Sequence, residues 1–213
     1  MESNCKTLKG DRDIEYEWVI SHVTSRPKQV LDFGCGASKL TSQLAHLCEH
    51  VIANDLRSVE QESLPNLKLV VGDILRISLP EHYFDLIVNC STIEHVGLGG
   101  RYGVKANDFD ADLRAMAKLF TLIKPDGKMI LTLPVGQDAV FEPLHRVYGE
   151  RLNKLLTNWE VIEEKFYTKY PGINVYVEAT KDYALTDKPT EKYYSLGLFV
   201  LKPNTQEQVK HAG

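Results

Sequence analysis

Residues 29–40 read QVLDFGCGASKL, and the order of residue types prescribes a strand, a turn and a helix. Val30, Leu31 and Phe33 are strand formers in a run of strand length. Gly34 and Gly36 break the run, because glycine supplies backbone conformations that other residues avoid. Beyond the turn, Leu40, Leu44 and Leu47 recur at helical spacing. Outward from this unit the alternation repeats. HVIANDL (50–56) is a strand ending at Asp55, LPNLKLVVGDI (64–74) holds a third ending at Gly72 and Asp73, and FDLIVNCS (84–91) is a fourth. Leu86, Ile87 and Val88 are apolar without alternation, which suits a strand covered on both faces.

Upstream, Ile14 and Trp18 predict a helix over 12–25, ended by Arg26 and Pro27. Downstream, Phe109, Leu113, Met116, Phe120 and Ile123 form one stripe of a helix over 108–123, with Asp residues in its first turn where the helix dipole favours them. KPDG (124–127) reads as a turn, KMILTLPV (128–135) as a fifth strand and YGERLNKLLTN (148–158) as a short helix. Later strands fall in 159–170 and 194–203, and a Tyr-rich segment, 170–195, interrupts them. Such an order means a mostly parallel, doubly wound α/β sheet with helices on both faces. One domain over residues 1–203 is expected, followed by a polar, frayed tail, 204–213.

The chain has 213 residues, a net charge of −4, 43% hydrophobic and 25% charged residues. The charge speaks against a partner with a phosphate backbone, so no nucleic acid is expected. Cys5, Cys35, Cys48 and Cys90 form no C-x-x-C pair, which argues for free thiols in a reducing compartment rather than zinc. The first residues lack the apolar stretch of a signal peptide, and no run approaches the roughly 20 apolar residues of a membrane span. A cytoplasmic protein without a membrane span, a monomer or a homodimer, is expected.

In sheets of this kind ligands sit beyond the carboxyl ends of the strands, where Asp32, Asp55, Asp73 and Asn89 all fall. A dinucleotide fingerprint would be G-x-G-x-x-G, but Lys39 stands where the third glycine belongs. Asp32, just before the first glycine, would repel a diphosphate. It suits a cationic ligand without phosphates, and S-adenosylmethionine, with its sulfonium and ammonium, is such a ligand.

VLDFGCG (30–36) resembles the first motif of class I S-adenosylmethionine-dependent methyltransferases. Asp55 occupies the place of that family's ribose-binding acid. GDI (72–74) resembles the adenine-reading segment, FDLIVNCSTIEHV (84–96) the fourth motif, and LIKPDGKMILTLP (122–134) the turn and strand that follow. The resemblance implies a seven-stranded Rossmann-like methyltransferase sheet with an antiparallel last strand. It also implies a cofactor site of Asp32, Gly34, Cys35, Gly36, Asp55, Leu56, Asp73, Ile74, Asn89 and Cys90.

The fourth motif narrows the acceptor. Asn89-Cys90-Ser91-Thr92 lacks the prolines of methyltransferases that act on DNA-base amines, and only Glu94 matches the glutamate pair of protein-arginine methyltransferases. IEHV (93–96) resembles the Glu-x-x-Glu-His of ubiquinone-pathway and small-RNA O-methyltransferases, with Ser91 in place of the first Glu. Two roles stay open. Glu94, His95 and His145 would bind Mg2+ or Mn2+ beside the acceptor hydroxyl, or His95 and His145 with Glu94 would serve as general base. STIEHVGLGGRYG (91–103) and LPVGQDAVFEPLHRVYG (133–149) resemble a group of small methyltransferases catalogued as a domain of unknown function in nematode proteins, with relatives associated with glycan biosynthesis. That implies O-methylation of a sugar or glycan hydroxyl, such as that of the deoxysugar rhamnose, with Arg101, Tyr102, Arg146 and Tyr148 around the acceptor. A phenolic or other small metabolite is the alternative. An oxidoreductase and a non-catalytic S-adenosylmethionine-binding subunit are the remaining classes, opposed by Lys39 and by the two histidines respectively.

Overall fold

A computed structural model of the chain describes residues 10–169 and 175–204. Helix α1 (Asp11–Ser21) leads into β1 (Gln29–Phe33), α2 (Lys39–Leu47), β2 (His50–Asp55), β3 (Leu67–Val71) and β4 (Phe84–Cys90). A single 3-10 turn (Ile93–His95) precedes α3 (Ala111–Leu122) and β5 (Ile123–Val135). A small hairpin of β6 (Ala139–Phe141) and β7 (His145–Val147) follows, then α4 (Arg151–Leu155), β8 (Trp159–Lys169), β9 (Tyr176–Ala179), α5 (Lys181–Thr186) and β10 (Ser195–Pro203). The expected tail beyond residue 204, and Cys5, lie outside the described residues.

The main sheet has the order β3-β2-β1-β4-β5-β10-β8-β9. β1 to β5 run parallel, and β10 returns antiparallel between β5 and β8. It has eight strands rather than the expected seven. The extra one is β9, an antiparallel edge strand drawn from the Tyr-rich segment.

The unalternating apolar strands are explained by period two with both faces covered. Leu31, Ile87, Met129 and Leu131 face the layer of α3, while Val30, Leu86, Val88 and Ile130 face α1 and α2. The KPDG stretch is not a free turn. It lies inside β5, whose register slips between Phe84 and Leu86 of its neighbour, and this irregularity accommodates Pro125. Of the stripe expected for this helix, Met116, Phe120 and Ile123 are buried and Leu113 packs against the same core. Phe109 precedes the helix and is exposed, whereas Asp112 is fully buried on it. The strand ends at Asp32, Asp55 and Asn89 therefore meet the loops after β4 and β5 along one edge of the sheet, where α1 also arrives.

Candidate active site

The turn after β1 is held by backbone. Gly34 and Gly36 have φ of 74° and 54°, a region closed to most side chains. A Cβ on Gly34 would meet the Thr92 side chain at 2.0 Å, so this turn is packed against the segment after β4. A Cβ on Gly36 would meet nothing within 4 Å, so that side of the turn is open. Gly36 N donates to Asp55 Oδ2 at 3.0 Å and Arg57 N to Asp55 Oδ1 at 2.9 Å. Leu56 beside it is exposed. Gln61 Nε2 donates to Gly36 O at 2.5 Å. Asp32, 2% exposed, accepts from Thr41 Oγ1 at 2.7 Å. Burial, with the Asp55 charge behind it, pushes its carboxyl up to about 6 against the Thr41 bond. Cys35 is buried and its thiol is pushed up to about 12 by burial and the two aspartates, which makes it an inert side chain.

At the other strand ends, Asp73 Oδ1 accepts from Leu75 N at 3.0 Å, a turn of its own, and the Ile74 side chain is in the core. Asn89 is fully buried and its Oδ1 has no partner. Cys90 O and Gly34 O both accept from Thr92 Oγ1, at 3.2 and 3.3 Å.

The turn after β4 is held by side chains from elsewhere. Ser91 has φ of 46°. Its backbone N donates to Thr132 O at 3.0 Å, and its hydroxyl donates to Glu15 Oε1. The same Glu15 oxygen accepts from Thr132 Oγ1 at 2.7 Å, and Oε2 accepts from Arg12 Nη1 at 2.9 Å. Glu15 is fully buried on α1, and burial raises its pKa against the pull of Arg12 and the two hydroxyls. The sequence reading missed Arg12 and Glu15. The available signal was a carboxylate on the apolar stripe of a helix, one residue after Ile14 and four before Val19.

Glu94 and His95 follow on the 3-10 turn. Glu94 is 2% exposed, and burial pushes its carboxyl up to about 8. Its Oε2 has no partner, and Oε1 lies 3.7 Å from His95 Nε2. His95 Nδ1 is 2.5 Å from Leu144 O. A carbonyl only accepts, so Nδ1 carries the proton and Nε2 is left with a lone pair. Burial lowers this histidine to about 4, and the imidazole is neutral. His145 is buried against Phe141 and Tyr194 with Nε2 unpartnered, and burial lowers its pKa too. The expected metal set does not assemble. Among the described residues no three His, Cys, Asp or Glu side chains are grouped to hold a metal ion. One His95 nitrogen is spent on Leu144, and the His145 ring is enclosed by aromatic rings.

The four expected acceptor residues divide. Arg101 and Tyr102 stand in the loop after the 3-10 turn. The guanidinium carbons of Arg101 and Arg57 lie 4.6 and 4.5 Å from the Tyr102 ring centre, and His95 meets that ring edge-on at 5.6 Å. Arg146 and Tyr148 are corrected: both are buried and internally bonded, and the cavity that Arg146 borders, with Phe109, Val140 and Arg151, contains neither His95 nor Arg101. Arg146 donates to the carbonyls of Val96 at 2.6 Å, Glu94 at 3.3 Å, and Asp108 and Phe109 at 3.4 Å. Tyr148 donates to Asp112 Oδ2 at 3.0 Å. Arg151 also bonds Asp112, at 2.6 and 3.0 Å. These residues clamp the loop carrying Glu94 and Arg101 from behind.

A family model described as "Caenorhabditis protein of unknown function, DUF268" matches residues 74–192. The chain belongs to this family. The match covers the turn after β4, both histidine-bearing loops and the β9 edge. Beyond it, the chain is 24% identical to an "Uncharacterized methyltransferase" of Anoxybacillus flavithermus, over 84% of this chain and 80% of that one. Among solved structures it is similar to the 1,6-didemethyltoxoflavin-N1-methyltransferase of Burkholderia thailandensis, with bound S-adenosylhomocysteine. The TM-score is 0.62 at 16% identity, covering 91% of this chain and 78% of that one. The N-methyltransferase NodS of Bradyrhizobium japonicum gives 0.59 at 16% identity, over 91% and 87%. The [4+2]-cyclase SpnF gives 0.62 at 13%, over 91% and 80%. The Rossmann-like methyltransferase fold of this DUF268 chain is thereby shown. The cyclase is a reminder that this fold alone does not fix the reaction. Among the described residues no helix is long and apolar enough to cross a membrane.

Proposed function

We propose that this chain is an S-adenosylmethionine-dependent methyltransferase that methylates a hydroxyl of a sugar or glycan. The observation that carries the cofactor half is the pairing of an open Gly36 turn with Asp55, whose two oxygens retain lone pairs after accepting two backbone N–H groups. Asp55 would accept from the ribose hydroxyls, and the exposed Leu56 would cover the adenine. Asp73 and the Ile74 amide would meet the adenine edge. The backbone of Gly34, Cys35 and Gly36 would line the methionine portion, with Asp32 and the carbonyls of Asn89 or Cys90 near its ammonium. When bound, S-adenosylmethionine supplies an electrophilic methyl group for in-line displacement.

The chain's own contribution is alignment and one proton. His95, held by Leu144 through Nδ1, presents Nε2 as a base that is unprotonated at neutral pH. Glu94, protonated below about pH 8, offers a donor hydrogen beside it. His145 and the Arg101–Tyr102 pair would wall the acceptor. No step passes through a metal, because Glu94, His95 and His145 do not form a ligand set.

The test is methyl transfer from labelled S-adenosylmethionine to a panel of sugars, catechols and amines. Label on a sugar hydroxyl is expected, and His95→Ala should remove it while retaining S-adenosylhomocysteine affinity. Label only on catechols would favour a phenolic acceptor. Label only on amines would end the O-methylation assignment.

A further inference from the structure

We infer that the acceptor carries an oxyanion, a carboxylate or a phosphate on its sugar, recognised by Arg101 together with Arg57. This rests on the cleft being the methyl-transfer site proposed above. The two guanidiniums come from different loops. Arg57 lies two residues past Asp55, and Arg101 lies in the loop after the 3-10 turn. Both are held over one ring, Tyr102, whose own φ of 55° is in the left-handed region. Gathering two like charges on one aromatic costs energy unless an anion shares them.

Arg57 is partly offset by Asp55, 3.7 Å from its Nε. Arg101 is not offset. Among the described residues it forms no ion pair, and one of its five N–H donors is used, by Leu144 O at 3.2 Å. The groups around it offset its charge only weakly. Glu94 is held toward its neutral form, His95 and His145 are neutral, and Glu191, whose charge acts on the same His145 ring, is exposed to solvent and forms no ion pair with Arg101. The remaining nearby cation, Arg12, is bound by Glu15. A cationic cofactor beside this loop would sharpen the excess of positive charge, and an acidic acceptor is its complement. A guanidinium fork is the geometry that takes a carboxylate or phosphate in two parallel bonds.

The test uses the purified full chain and three matched acceptors: methyl glucoside, methyl glucuronide and glucose 1-phosphate. We expect KM for at least one acidic sugar to be tenfold or more below that of the glucoside, and the two acidic arms show whether carboxylate or phosphate is preferred. Arg101→Gln and Arg57→Gln should each collapse the acidic-over-neutral ratio by roughly 10- to 100-fold, the range of a charged hydrogen bond; for Arg101→Gln, which does not touch Asp55, S-adenosylhomocysteine affinity should stay within twofold. Equal use of neutral and acidic sugars, or a ratio that survives Arg101→Gln, overturns the inference and leaves the cofactor assignment standing. If none of the three accepts methyl, calorimetry on the S-adenosylhomocysteine complex decides. Binding of an acidic sugar that Arg101→Gln abolishes supports the site, and no binding overturns it. If S-adenosylhomocysteine itself does not bind, the methyl-transfer assignment fails, and the acidic sugars are titrated into the chain alone by the same criterion.

Discussion

The half of the cleft at β1 and β2 is held by backbone groups, whereas the half after β4 is held by side chains that reach in from distant elements. Around Gly34, Gly36 and Asp55, the bonds join β1, β2, β3 and the segments that directly follow them, apart from one from the Thr92 hydroxyl to Gly34 O. Around Ser91, Glu94 and Arg101, the partners are Glu15 and Arg12 from α1, Thr132 from β5, Leu144 from the β6–β7 connection and Arg146 from β7. The first half suits a cofactor shared by many chains of this fold. The second is an assembly of exchangeable side chains, and an acceptor site specific to this family would be built there. It also stores more uncompensated charge, because buried side chains can be left unpartnered in a way that strand backbone cannot.

The largest expected effect lies in the second half. Arg146→Met removes a buried guanidinium from four carbonyls and from Asp112, 3.8 Å away, and should cost about 3–5 kcal/mol of stability. A urea titration measures it. Unchanged stability with a raised acceptor KM would return Arg146 to the pocket.

Next is Glu94. Its carboxyl is raised in the folded chain from 4.5 to about 8. The stability tied to it is therefore complete below about pH 4.5 and is lost as pH rises to about 8, on the order of 5 kcal/mol from the shift. Glu94→Gln should flatten stability across that window, and a midpoint scan at several pH values checks it. Glu15, also raised by burial, contributes in the same direction, so a Glu15→Gln control separates the two.

Gly34→Ala tests the backbone half. A Cβ there clashes with Thr92 and the backbone is left-handed, so a loss of about 1–3 kcal/mol is expected. It should come with weakened S-adenosylhomocysteine binding by calorimetry. Gly36→Ala, with free space at its Cβ, should lose less stability. The smallest effect concerns metal. Extraction with a chelator should change the methyl-transfer rate less than about twofold, since a metal acting on the acceptor hydroxyl would contribute several kcal/mol. A rate restored only by Mg2+ or Mn2+ would mean that Glu94, His95 and His145 rearrange in the working enzyme.

Legibility in the sequence followed the same division. The strands through β5, the glycine turn and the acids at strand ends could be read because each depends on residues within a dozen positions. The KPDG stretch was read as a turn between elements because its signal is local, whereas it is an unpaired irregularity within β5, flanked by Ile123 and Lys128, which pair with Phe84 and Leu86 of β4. Arg146 and Tyr148 misled because arginine and tyrosine in a loop look the same whether they face a ligand or a buried Asp112. Glu15 was passed over because one carboxylate in an apolar stripe signals nothing until its partners, Ser91 and Thr132, are known.

By itself, then, the sequence determined a doubly wound α/β sheet and the place of a cofactor-like turn on it, since periodicity, glycine and strand-end acids act through local backbone geometry. Only the tertiary structure decided that Glu94 is buried with an unpartnered oxygen, that His95 spends one nitrogen on Leu144, that the metal set does not assemble, and that Arg57 and Arg101 meet over Tyr102. Those are long-range contacts, and the burial and charge balance they create depend on which distant side chains the fold brings together.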